Sequence, residues 1–161
     1  MGFITEEDKF MFMHPDIPEV DGVKFDEVLD SDTVFLYSLL EERMAEPHIN
    51  ISHNALPTIR QHIAFCASDP YKAWYVIKLN GERIGSVYLT KRDEVGIHII
   101  KEHRHKRIGA KALEFIEKRF PGTKILANIN PRNEKSLHFF EKHGYKILQV
   151  TYVKETSVDK A

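Results

Sequence analysis

The dipeptide Asn80-Gly81 constrains this chain more than any other two residues. It separates two stretches of strand character, Lys72 to Leu79 and Glu82 to Lys91. Both positions of a two-residue hairpin turn need positive φ, which asparagine and glycine tolerate best. An antiparallel hairpin is therefore expected in the middle of the chain, and the apolar run Glu94 to Ile100 supplies a third strand beside it.

The flanks follow from periodicity. Val23, Phe25 and Val28 alternate within Val20 to Val28 and predict a first strand. Asp30, Ser31 or Asp32 can cap a helix from Thr33 to Ala45 with Leu36, Leu39 and Leu40 on its apolar face. Pro47 ends that helix, the polar loop EPHINISHNAL follows, and Pro57 opens a second short helix through Phe65. From Ile108, the residues Ala112, Phe115, Ile116 and Phe120 fall at helical spacing until Pro121-Gly122. Lys124 to Ile129 reads as a buried strand, Asn130-Pro131 or Asn133 opens a further helix that His143-Gly144 closes, and Tyr145 to Val153 reads as the last strand. The order strand, two helices, three strands, helix, strand, helix, strand is that of an α+β fold. Residues 1–19 read as an N-terminal arm, 20–154 as a single domain and 155–161 as a frayed tail.

Composition narrows the function classes. Of 161 residues, 42% are apolar and 29% charged, the profile of one soluble globular domain. No apolar run reaches the ~18 residues of a membrane span. Cys66 is the single cysteine, so no internal disulfide forms, and MGFITEEDKF carries acidic residues where a signal peptide would be basic and then apolar. A reducing, cytoplasmic setting is the expectation. Lys and Arg number 23 against 24 Asp and Glu, a net charge of −1, so no global field directs the chain to nucleic acid.

The charge is instead local. In KEHRHKR, residues 101–107, Lys101, Arg104, Lys106 and Arg107 face one anion, Glu102. The run joins a strand end to a helix start, where unpaired N–H groups and the positive end of the helix dipole converge and can hold a phosphate. Gly109 and Ala110 keep the first helical turn slim. A solvated loop is the plain alternative. A P-loop is disfavoured by the lack of Gly-Lys-Ser/Thr, and a dinucleotide fold by the lack of GxGxxG and by the strand order that follows. A metal site at His98, His103 and His105 is disfavoured by the interleaved Arg104 and Lys106, so no metal is expected.

Glu94-Val95-Gly96-Ile97-His98-Ile99 followed by Arg104-His105-Lys106-Arg107-Ile108-Gly109-Ala110 resembles the acetyl-CoA motif of the GCN5-related N-acetyltransferases (GNAT), Gln/Arg-x-x-Gly-x-Gly/Ala after an apolar strand. The segment from Asn133 through Ser136, Phe139 and Phe140 to Gly144-Tyr145 is similar to the same family's second element. The resemblance implies a mixed, mostly antiparallel twisted sheet with a splayed parallel pair and helices on both faces. It implies acetyl-CoA as acyl donor, with Ile97, His98 and Ile99 offering backbone groups to the pantetheine arm and thioester. Arg104, His105, Lys106, Arg107, Ile108, Gly109 and Ala110 would hold the pyrophosphate, and Asn133, Ser136 and Phe140 would line the cofactor arm.

Two positions depart from the family pattern. Arg107 replaces the first motif glycine, and a helical backbone that costs arginine little is the expectation there. Phe140 stands where many relatives use a tyrosine as general acid; the leaving group can depart as thiolate, and a water, Tyr145 or Tyr88 could also supply the proton. Asn128 stands where ribosomal-protein alanine acetyltransferases place a glutamate. Glu94, at the entrance of the motif strand, is then the candidate general base, an ordinary strand-end carboxylate being the alternative. The acceptor would meet Arg43, His53, Trp74 and Tyr88. Transfer to a primary amine of a small polar molecule such as an amino sugar, by direct attack, is expected; a protein N-terminus or a non-catalytic CoA-binding sensory module are the alternatives. Pairing with a second copy is left open.

Overall fold

In a computed structural model, which describes residues 22–46, 55–104 and 107–159, Asn80 and Gly81 take φ of 49° and 84°. The turn closes β2 (Tyr71–Leu79) onto β3 (Glu82–Thr90), as the dipeptide requires. β1 (Val23–Glu27) pairs antiparallel with β2, and β4 (Val95–Ile99) antiparallel with β3, giving the order β1-β2-β3-β4. The helices are α1 (Thr33–Met44), α2 (Ile59–Ala67), α3 (Ile108–Arg119) and α4 (Glu134–Lys142). The arm 1–19, residues 47–54 of the polar loop with His53, and His105 with Lys106 lie outside the described residues.

Period-2 alternation gives the sheet two buried faces. Phe25, Tyr75, Ile77, Val87, Leu89 and Val95 form one cluster with Ile108, Ala112, Leu113 and Ile116 of α3. On the opposite face Val76 packs against Leu36 and Leu39 of α1, with Trp74 and Cys66 beside them. Helices therefore cover both faces of the sheet, as the family resemblance implies. Asp32, one of the predicted caps, is buried, and its carboxylate instead accepts from Leu29 N–H and Arg83 Nε, both at 2.8 Å. That pair ties the entry of α1 to the hairpin.

Two expected strands are corrected. Lys124 to Ile129 touches the sheet through one parallel bridge, Glu94 with Leu126, made by Val95 N–H to Leu126 O and Leu126 N–H to Asp93 O, each at 2.8 Å. Beyond it the two segments part. Tyr145 to Val153 forms no ladder among the described residues, and Ile147, Val150 and Tyr152 are exposed. Alternation reports an available apolar face; it does not provide the neighbouring strand whose backbone groups a strand must meet.

Gly96 shows how closely the sheet is filled on the α1 face. It pairs with Tyr88, and a Cβ added at Gly96 would overlap the Tyr88 ring. Gly96→Ala is expected to cost ~1–3 kcal/mol of unfolding free energy, most of it recovered when Tyr88→Leu is added. Denaturant titration of both singles and the double checks this; additive losses would show that the two side chains do not compete for one space.

Candidate active site

β4 divides its backbone between two neighbours. Ile100 N–H bonds Ile84 O at 2.8 Å on the β3 side, whereas Val95 N–H points the other way, to Leu126. Antiparallel alternation then sends the backbone of Gly96 and His98 into the ladder with β3 and turns the N–H groups of Ile97 and Ile99 to the open edge. Of the three residues expected to offer backbone groups, Ile97 and Ile99 face the gap and His98 does not. The Ile99 carbonyl accepts from Arg104 Nε at 3.1 Å.

At the end of that gap α3 begins. Its first internal bond is Lys111 N–H to Arg107 O, so the N–H groups of Ile108, Gly109 and Ala110 lack helical partners, and among the described residues no side chain caps them. By contrast α2 is capped by Thr58, whose hydroxyl accepts from Gln61 N–H, and α4 by Asn133, whose Oδ1 accepts from Ser136 N–H at 3.2 Å. Asn133, expected on the cofactor arm, thus spends its carbonyl oxygen on α4 and keeps its amide N–H groups. A Cβ at Gly109 would only touch the Phe139 ring at 3.7 Å, so packing does not require glycine there. Phe140 lies edge-on to Phe139 and Tyr145, each centroid 5.1 Å away.

The expectation for Arg107 is corrected. Its φ of 60° and ψ of 13° are left-handed, the conformation that suits the family's glycine. A Cβ there crowds the following carbonyl, at roughly 1–2 kcal/mol. The side chain is exposed at the start of α3. Arg104 is also placed otherwise than expected. Its Nη2 lies 2.9 Å from Glu42 Oε1 and its Nη1 2.9 Å from Glu46 Oε1, so two carboxylates of the α1 end take its charge.

The α1 face of the sheet carries the polar groups. Cross-strand partners share a face, and Trp74 and Val76 lie against α1. The registers Trp74–Tyr88–Gly96 and Val76–Ser86–His98 place Tyr88, Ser86 and His98 there too, with Glu94 two residues before Gly96. Trp74 Nε1 donates to Ser86 Oγ at 2.8 Å, and Tyr71 stacks on Tyr88 at 4.2 Å. Arg43 is near enough for its charge to act on both Tyr71 and His98. Asn128 Nδ2 donates to Glu94 Oε2 at 2.7 Å, a contact that sequence reading missed because it spans the splayed pair.

Among the titratable groups that are displaced, three bear on the chemistry considered for the site. Burial, then the charges of Arg104 and Arg43, push His98 down from 6.5 to about 4 against the opposing pull of Glu46. Burial raises the Cys66 thiol. Cys66 Sγ lies 3.4 Å from His62 Nε2, but that nitrogen is 3.1 Å from Thr33 O, to which it can only donate, so it is not a base for the thiol. Burial and then the negative charge of nearby Glu117 push Tyr145 up to about 12.

The sequence pattern of the GNAT acetyltransferase family matches residues 35–145, and the chain belongs to that family. It is an N-acetyltransferase that draws its acetyl group from acetyl-CoA. Among solved structures it is similar to yncA of Salmonella typhimurium with its cofactor acetyl-CoA, with a TM-score of 0.66 at 15% identity over 80% of this chain and 82% of that one. It is also similar to RimL, a ribosomal α-N-protein acetyltransferase in complex with CoA (TM-score 0.66, 11% identity, 78% and 81% covered). An aminoglycoside N-acetyltransferase in complex with CoA gives a TM-score of 0.61 at 12% identity over 88% and 99% of the two chains. No curated protein matches the chain.

Two outcomes are expected from these geometries. Arg107→Gly should stabilise the fold by ~0.5–1 kcal/mol, the relief of left-handed strain less the backbone entropy of glycine; denaturant unfolding that shows a loss would contradict it. His98 binds a proton more readily unfolded than folded, so its contribution is full above 6.5 and is lost as pH falls toward 4, ~3 kcal/mol in all. His98→Asn should flatten the stability profile between those pH values, and parallel profiles for variant and wild type would refute the assignment.

Proposed function

We propose that this acetyltransferase acts on a primary amine of a small polar molecule, an amino sugar being the favoured class, by direct attack without a covalent enzyme intermediate. The observation that carries this reading is the division of β4: its open edge faces the gap that ends at the start of α3, and on its α1 face stand His98, Glu94 just before the strand, and the Tyr88 ring reaching across from β3. The two substrates would meet across one strand.

Acetyl-CoA supplies a thioester carbon that an amine can attack. The N–H groups of Ile97 and Ile99, without a partner among the described residues, suit the arm and the carbonyl oxygen; a donor aimed at an oxygen that gains charge is worth ~10²–10³ in rate. Ile108, Gly109 and Ala110 offer backbone N–H groups to the pyrophosphate at the positive helix end, and exposed Arg107 can add its guanidinium. Arg104, held by Glu42 and Glu46, serves instead to fix the end of α1 against β4.

Glu94 is the group we assign to receive the amine proton, with Asn128 fixing one carboxylate oxygen and leaving the other to act. An alkyl amine of pKa ~10.4 is overwhelmingly protonated at neutral pH, so such a base has work to do. Phe140 has no proton for the departing thiol. Burial and the neighbouring Glu117 carboxylate hold the Tyr145 proton more tightly, whereas Tyr88 lies across β4 at Gly96, so Tyr88 is the better placed donor. Tyr71, Trp74 and Tyr88 also form an aromatic wall for a sugar ring. The raised pKa of Cys66 and the commitment of His62 to Thr33 O argue against a thiol nucleophile.

The test is calorimetric binding of acetyl-CoA, then CoA release against amino sugars, polyamines and a peptide α-amine. Release is expected with amino sugars, and Glu94→Gln should lower kcat/KM by ~10²-fold or more near neutral pH with the deficit shrinking as pH rises. Binding without release from any amine would favour the sensory module. An unchanged pH profile in the variant would remove Glu94 from the chemistry.

A further inference from the structure

We infer that the His98 side chain is a hydrogen-bonding element of the acceptor site, receiving a hydroxyl or N–H group of the amine between β4 and the end of α1; this rests on the acetyl-transfer reading above. Its backbone is committed to β3, so the residue's distinguishing chemistry lies in the imidazole on the α1 face.

Nε2 of His98 is enclosed and has no hydrogen-bond partner among the described residues. An apolar side chain of similar volume would avoid that cost, so an imidazole here is a burden to folding that a ligand would relieve. The nearest carboxylate oxygen, Glu42 Oε1, is 4.0 Å from Nε2, beyond a hydrogen bond. Glu42 cannot simply swing across. The same oxygen accepts from Lys101 N–H and from Arg104 Nη2, each at 2.9 Å, while Arg104 also grips Glu46.

A separation of 4.0 Å matches one atom at ~2.8 Å from both Nε2 and Oε1, which an acceptor reaches by displacing the groups that enclose Nε2. A hydroxyl can donate to one and accept from or lean on the other; an ammonium can donate to both. Because the ring stays neutral, it keeps a nitrogen able to accept, and it is far too weak a base to take the proton of an alkyl amine. Binding and orientation are what such a group does. Glu94, four residues earlier on the same face, remains the base, with Tyr88 over Gly96 between them.

The experiment compares wild type, His98→Leu and His98→Asn, with His98→Phe as a second apolar variant. Thermal melting is recorded without ligand, and CoA release is followed at saturating acetyl-CoA with glucosamine, 1,4-diaminobutane and n-butylamine. The expected result is a higher Tm for the apolar variants together with an acceptor KM raised about tenfold for glucosamine, for 1,4-diaminobutane or for both. KM for n-butylamine, which has no second donor, and for acetyl-CoA should move less than about twofold, and His98→Asn should recover part of the loss. An effect on glucosamine alone identifies a hydroxyl, and on the diamine alone an N–H. Unchanged acceptor KM in an active enzyme, a lower Tm in both apolar variants, or a change confined to acetyl-CoA would overturn the His98 assignment and leave the transfer reading standing. A wild type that binds acetyl-CoA yet acetylates none of these amines would overturn the small-amine reading, and the assignment with it.

Discussion

One parallel bridge, between Glu94 and Leu126, governs the architecture around β4. Two bonds of 2.8 Å join the strands there, after which the backbones diverge. Backbone N–H groups withdrawn from water need partners, so the groups of Ile97 and Ile99 must be met by solvent, by another segment or by a ligand. A ladder continued along 124–129 would have satisfied them and closed the gap. The splay therefore leaves an edge of outward-facing backbone groups at ordinary aliphatic residues, without any side chain being devoted to it.

The same strand has a second use because edges and faces are independent. Alternation that turns Ile97 and Ile99 to the gap turns Glu94, Gly96 and His98 to the α1 side. Gly96 is the exception that makes the face work: without its side chain, the Tyr88 ring can cross from β3 over β4. The Arg104 clamp then sets the far wall. By holding Glu42 and Glu46 it fixes the last turns of α1 over His98, and Lys101 N–H adds a further tie to Glu42.

Much of this was legible in residue order. Asn80-Gly81 predicted the hairpin because only a few residues accept two successive positive φ values, and the 3.6-residue spacing after Ile108 predicted α3 because its apolar stripe must meet the sheet. Where reading failed, the missing information was a partner. Tyr145 to Val153 alternates like a strand, yet pairing depends on a neighbour that the pattern itself does not contain. Likewise the Glu94–Asn128 bond joins residues 34 apart across a splay, a separation that no local pattern reports. Arg107 failed for another reason: intrinsic preference favours a helical arginine, but the junction between the short turn at Lys101–His103 and α3 imposes a left-handed residue whatever its identity.

The cationic run KEHRHKR shows why a local count of charge is a poor measure of an anion site. Arg104 is neutralised by carboxylates from α1, 58 and 62 residues away in the chain, so its contribution to a phosphate is small although its position in the motif is the family's own. What remains at α3 is the uncapped helix start and a strained, exposed Arg107. Backbone N–H groups act at short range and in fixed directions, whereas a guanidinium on a long stem adds attraction with little geometry. An anion at the start of α3 would therefore meet directed backbone N–H groups first and side-chain charge only second, while Arg104, the conspicuous cation of the run, holds the end of α1 against β4.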